Sequence, residues 1–80
     1  MRIRLLLFAS YAEAFGRDGL SLEMPQGSTA GDVLSDLRRR PGGDRLPPSP
    51  LVAVNQRYAR LDAALEDGDE VALIPPVAGG

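Results

Sequence analysis

The residues best suited to chemistry stand at the carboxyl end, where EVALIPPVAGG closes on Gly79-Gly80. A carboxylate carried on two glycines can enter a narrow site on another protein, because glycine has no Cβ and adopts backbone conformations closed to other residues. The plain alternative is a frayed terminus, which most domains have. What the chain lacks bears on this choice. It contains no Cys, no His, no Trp and no Lys, so all nine basic residues are Arg. Without Cys or His it has neither the usual nucleophile nor the usual physiological proton shuttle nor the commonest transition-metal ligands, which excludes disulfides, zinc and Cys–His catalysis. Carboxylates, Arg, hydroxyls and the two chain ends remain.

Eighty residues make one domain with a modest core and no spare mass for a deep catalytic cleft. Hydrophobic residues form 44% and charged residues 25%, as in soluble globular proteins. No apolar run approaches the roughly 20 residues that span a bilayer. The opening MRIRLLLFAS is too short in its apolar part for a signal peptide, and Arg2 and Arg4 alternate with apolar residues, so it reads as a strand. A net charge of −2 with mixed signs gives no electrostatic footprint for nucleic acid. The one exception, Arg38-Arg39-Arg40, falls in the last turn of an expected helix, where positive charge complements the helix dipole.

The elements that must position the tail follow from local pattern. Residues 2–8 read as a first strand, with Ile3, Leu5 and Leu7 on one face and Arg2, Arg4, Leu6 and Phe8 on the other. Tyr11 and Phe15, four apart, fit one or two helical turns that Gly16 and Gly19 break. Residues 20–24 alternate as a second strand that Pro25 ends. Thr29 followed three residues later by Asp32 is a capping-box pattern, and Val33, Leu34 and Leu37 give that helix an apolar face. Pro41 and Gly42-Gly43 stop it, and DRLPPSP reads as a stiff loop. LVAVN is a strand, Asn55-Gln56-Arg57 a turn, and Tyr58 to Leu61 a short strand. Asp67-Gly68 is a tight-turn pair before the last strand, EVALI. The order is β–β–α–β–β–β, an α+β arrangement in which an antiparallel or mixed sheet packs on one main helix.

LVAVNQ, LEDGDEVA and the closing PPVAGG, in this order and spacing after a capped helix, resemble the sulfur-carrying small subunits of molybdopterin synthase, the MoaD type of the MoaD/ThiS family. The resemblance covers the whole chain. It implies a ubiquitin-like β-grasp domain over residues 1–74 and an extended tail over 75–80. It also implies that the Gly80 carboxylate is adenylated, converted to a thiocarboxylate and made to donate sulfur to cyclic pyranopterin monophosphate in molybdenum cofactor biosynthesis. A carboxylate becomes electrophilic once ATP makes it an acyl adenylate, and a sulfur donor then displaces AMP. Gly79 would give the tail clearance, and Pro75-Pro76 would keep its exit extended. The implied partners are the molybdopterin synthase large subunit, commonly two copies of each subunit together, an adenylating enzyme of the ubiquitin-activating type and a sulfur donor protein. ATP and magnesium belong to the activating enzyme, and the carrier binds no cofactor or metal and has no active site of its own. The setting implied is cytoplasmic, with no nucleic acid and no membrane. Two other readings stay open: a carrier for thiamine or transfer-RNA thiolation, and a protein modifier conjugated through Gly80. Lacking Lys, such a modifier could not grow chains on its own side chains.

Strand parity suggests where a partner docks. If Ile3, Leu5 and Leu7 face the helix, with Val71 and Leu73 of the last strand, then Leu6, Phe8 and Ile74 lie on the opposite face of the sheet. In a β-grasp fold the first and last strands are neighbours, so these three would form an exposed apolar patch beside the tail. Parity thus gives Leu6, Phe8 and Ile74 as expected partner-binding residues, and the resemblance, which implies a tail inserted into the large subunit, adds Pro75, Pro76, Val77 and Ala78. A second small core beneath residues 9–18 is the alternative use of the patch.

Overall fold

A computed structural model of the chain describes residues 1–75. The expected tail positions Pro76, Val77, Ala78, Gly79 and Gly80 lie outside the described residues. Five strands and two helices follow one another as β1 (Arg2–Leu7), α1 (Ala9–Phe15), β2 (Gly19–Glu23), α2 (Ala30–Arg38), β3 (Leu51–Val54), β4 (Arg57–Ala59) and β5 (Glu70–Ile74). A 3₁₀ turn at Gly43–Arg45 interrupts the segment expected to be loop. The strands form one sheet in the order β2-β1-β5-β3-β4. Its central pair, β1 and β5, is parallel, and the other three pairs are antiparallel. This is the expected mixed sheet of a β-grasp domain.

One face of the sheet makes the core. Ile3, Leu5, Val71 and Leu73 are fully buried, and Leu7, Leu22 and Val52 nearly so. Ala30, Val33, Leu34 and Leu37 of α2 belong to the same cluster. Each fully buried aliphatic side chain contributes about 1.5–3 kcal/mol. The helix starts where its capping box sets it. The Thr29 hydroxyl accepts from the Asp32 N–H at 3.2 Å, and the Asp32 carboxylate accepts from the Thr29 N–H at 2.8 Å. Two N–H groups at the helix entry thus gain partners.

The turn before β5 delivers that strand to the centre of the sheet. Asp67 accepts from the Arg2 N–H at 2.7 Å, while the Gly68 N–H donates to the Arg2 carbonyl at 2.8 Å. Gly68, at φ 87°, supplies the left-handed residue that the turn needs. β4 begins at Arg57, inside the segment expected to be turn. Asn55 and Gln56 alone reverse the chain, with φ of 50° and 71°. Two successive positive-φ residues match the twist of the flanking strands, so a third turn residue is not required.

Three local readings gain a cause. α1 buries Tyr11, 4% exposed, in the main core, so residues 9–18 do not build a second core on the open face. Burial pushes the Tyr11 hydroxyl above its ordinary pKa. Arg38 donates to the carbonyls of Leu46, Pro47 and Pro48 at 3.2, 2.6 and 3.0 Å and clamps the proline-rich segment beside its own helix. Arg39 and Arg40 pair with Asp36. Gly42 does more than end a helix: at φ 95°, it lies so close to α1 that a Cβ would collide with the Ala14 carbonyl. Gly42→Ala is therefore expected to cost at least about 2 kcal/mol, combining a left-handed backbone with a backbone clash. Gly68→Ala, also left-handed but in open space, should cost only about 1–2 kcal/mol. Urea melts of the two variants check the order, and equal midpoints would refute the clash.

Candidate functional site

The parallel pairing of β1 with β5 makes both strands end at the same edge of the sheet. Their register runs Arg4↔Glu70, Leu5↔Val71, Leu6↔Ala72 and Leu7↔Leu73, so Phe8 and Ile74 follow side by side. Facing residues of paired strands point to the same side of a sheet. On the side away from α2 this gives one row across all five strands: Gly19, Leu6, Ala72, Ala53 and Tyr58. A second row holds Ile74 beside Leu51.

The size order along the first row shapes the surface. The two alanines in the middle strands make a low floor, and Leu6, Phe8, Ile74 and Tyr58 stand around it. The resulting trough has a volume of about 370 Å³, and Gln56 and Glu70 supply its polar end. Phe8 is 48% exposed, Leu51 50% and Tyr58 73%, an unusual amount of large apolar surface to leave in water on so small a domain. What the face offers is apolar contact area. Among the described residues no group of three or more Asp, Glu, His or Cys side chains is placed to hold a metal ion.

Leu6, Phe8 and Ile74 thus come together on one face, as strand parity indicates, with one correction. Ile74, like Leu6, is only partly buried rather than substantially exposed, because Leu51 stands beside it in the ladder. Pro75, the last described residue, is also partly buried and follows the end of β5, so the chain leaves the sheet at the rim of the trough. The same parity in β5, with Val71 and Leu73 inward, sends Glu70 and Ala72 outward with Ile74, and both line the trough. Sequence reasoning missed Leu51, Ala53, Gln56 and Tyr58. Three of these were within reach of the parity rule already used for β1 and β5. Val52 facing the core turns Leu51 and Ala53 outward, and Tyr58 follows from its pairing with Ala53.

No helix among the described residues is long and apolar enough to cross a membrane. Comparison with known proteins places the chain further. The ThiS family model matches residues 5–80. The molybdopterin synthase sulfur carrier subunit of Chlamydomonas reinhardtii is 37% identical over 83 residues, covering all of both chains. Small archaeal modifier protein 3 of Haloferax volcanii is 32% identical over 92 residues, again covering all of both. Among solved structures, SAMP1 from Haloferax volcanii superposes with a TM-score of 0.85 at 31% identity over the whole of each chain. With the β-grasp sheet, the end-to-end match and the family model in agreement, the chain belongs to the ThiS/MoaD family of ubiquitin-like sulfur carriers.

Proposed function

We propose that this chain is the sulfur-carrying small subunit of a molybdopterin synthase, with residues 1–74 as the folded carrier and residues 75–80 as the tail that delivers the sulfur. The observation that carries the reading is the parallel β1–β5 pair, which brings the exit toward the tail to the rim of an apolar trough. The same interface can then hold the body of the carrier and aim its last residues. The full-length likeness to sulfur carrier subunits supports it.

In this reading an adenylating enzyme uses ATP and magnesium to convert the Gly80 carboxylate to an acyl adenylate, releasing pyrophosphate. A sulfur donor protein then supplies the sulfur that displaces AMP and leaves a thiocarboxylate. The large subunit of the synthase docks on Leu6, Phe8, Ile74 and Pro75 and receives Pro76, Val77, Ala78, Gly79 and Gly80 in its active site. There the sulfur passes to cyclic pyranopterin monophosphate. The carrier contributes docking area and reach, and the reacting groups other than its own terminus belong to its partners. These steps take place in the cytoplasm.

Likeness to a small archaeal modifier favours a second reading, conjugation of Gly80 to amines on other proteins. Intact mass of the protein from its native host separates the two. Exchange of one terminal oxygen for sulfur adds about 16 Da to the free chain, the product of acyl activation followed by sulfur attack. The carrier reading expects that species in cells making the cofactor. A chain found only unmodified or joined to other proteins would refute it.

A further inference from the structure

We propose that Gln56 determines partner specificity at the docking face: a strained turn holds its amide at the polar end of the trough, where it meets a peptide group of the bound partner. This rests on the reading that the large subunit docks there, and it names a residue and a chemistry that the reading does not require.

The described chain has three residues other than glycine at clearly positive φ, namely Ala9 at 47°, Asn55 at 50° and Gln56 at 71°. Of the three, only Gln56 lines the trough; Ala9 follows its wall residue Phe8 in the chain, and Asn55 precedes Gln56 in the turn. Asn tolerates this conformation, and here it is well used. Its N–H donates to the Glu70 carbonyl at 2.8 Å, its side-chain amide donates to Asp69 at 2.9 Å, and its side-chain oxygen accepts from the Glu70 N–H at 3.0 Å. Asn55 therefore extends the β3–β5 ladder into the turn and fixes the turn to the start of β5.

Gln56 has no such task. The second place of a two-residue turn with both φ positive is the position where glycine is preferred, and a side chain there is a steric liability. Its side chain is exposed, and it makes no hydrogen bond among the described residues. A residue that strains the backbone without supporting the fold points to use by a ligand, since strain of this kind persists mainly at functional positions. The chemistry of that ligand follows from the trough. Its floor is two alanines and its walls are apolar, so it takes an aliphatic or aromatic side chain. At the polar end a primary amide offers one donor group and one acceptor, the complement of a main-chain N–H and C=O. The partner segment is accordingly an extended stretch with an apolar anchor over Ala53 and Ala72 and a free peptide group beside Gln56.

Two substitutions separate strain from recognition. Gln56→Ala keeps the strain and removes the amide, so it should melt like the parent. Gln56→Gly removes both and should melt a few degrees higher. Both should bind the large subunit about tenfold more weakly by calorimetric titration, the scale of a lost hydrogen-bonding group at an interface. Parent-like affinity in either variant, or no rise in melting temperature for Gln56→Gly, would overturn the proposal. Phe8→Asp, measured alongside, tests the docking face itself. If it also binds like the parent, the large subunit does not dock there. If it binds poorly while both Gln56 variants bind tightly, the face stands and the role of Gln56 falls.

Discussion

Deleting Gly80 should leave the thermal melt unchanged and reduce sulfur transfer by more than about 100-fold, since misplacing a reacting group by even 1 Å can cost that much. The deletion shortens the tail by one residue, about 3.5 Å of extended chain. The carboxylate would then stop short of the position at which, in the proposed function, the activating enzyme and the large subunit reach it. Replacing Gly79 by Val retains length but adds a β-branched side chain where the tail must pass through a narrow site, and it should lose transfer to a similar degree. The sheet, the core and α2 are built from residues 1–75, so both variants retain every residue of the described fold. A reconstituted synthase assay, run beside thermal melts, measures both outcomes. Full transfer by the shortened chain would remove the Gly80 carboxylate from the mechanism.

The parts of this molecule that were legible in its sequence are those whose cause is local. Alternation in β1 separates Ile3, Leu5 and Leu7 from Arg2, Arg4 and Leu6, and the two groups do face opposite ways. The Thr29–Asp32 box spans four residues, and Asp67-Gly68 is a turn by composition, so both could be read in place. The features that escaped depend on what another segment brings near. Arg38 is a clamp only because three carbonyls, eight to ten residues on, fold back over its helix end. Gly42 is irreplaceable because α1 arrives against it. Ile74 is partly covered because Leu51 pairs with it across the sheet. The trough combines the two cases: its inventory follows from parity, but its shape needs the strand order, which places Ala72 and Ala53 side by side between larger neighbours.

Phe8→Asp and Leu5→Asp, three residues apart on one segment, should fail in opposite ways. Leu5 has no exposure, and a carboxylate there would lose the apolar contacts of a core side chain and sit without a partner. At about 0.05–0.15 kcal/mol per residue, a domain of this size has a net stability of about 4–12 kcal/mol, which such a change can consume. Leu5→Asp is therefore expected to be largely unfolded by circular dichroism. Phe8 is 48% exposed and occupies the N-cap position of α1, with extended backbone and no side-chain hydrogen bond to the helix. Aspartate is among the preferred residues at that position, so the substitution supplies an acceptor that the native residue lacks. The isolated variant should melt within a few degrees of the parent. On the trough the same change puts a charge where an apolar partner must close, and affinity for the large subunit should fall at least about 30-fold, the loss of a central aromatic anchor at about 2 kcal/mol or more. Circular dichroism with a binding titration distinguishes all outcomes. Unfolding of Phe8→Asp would show that the open face belongs to the core, and undiminished binding would show that the partner docks elsewhere.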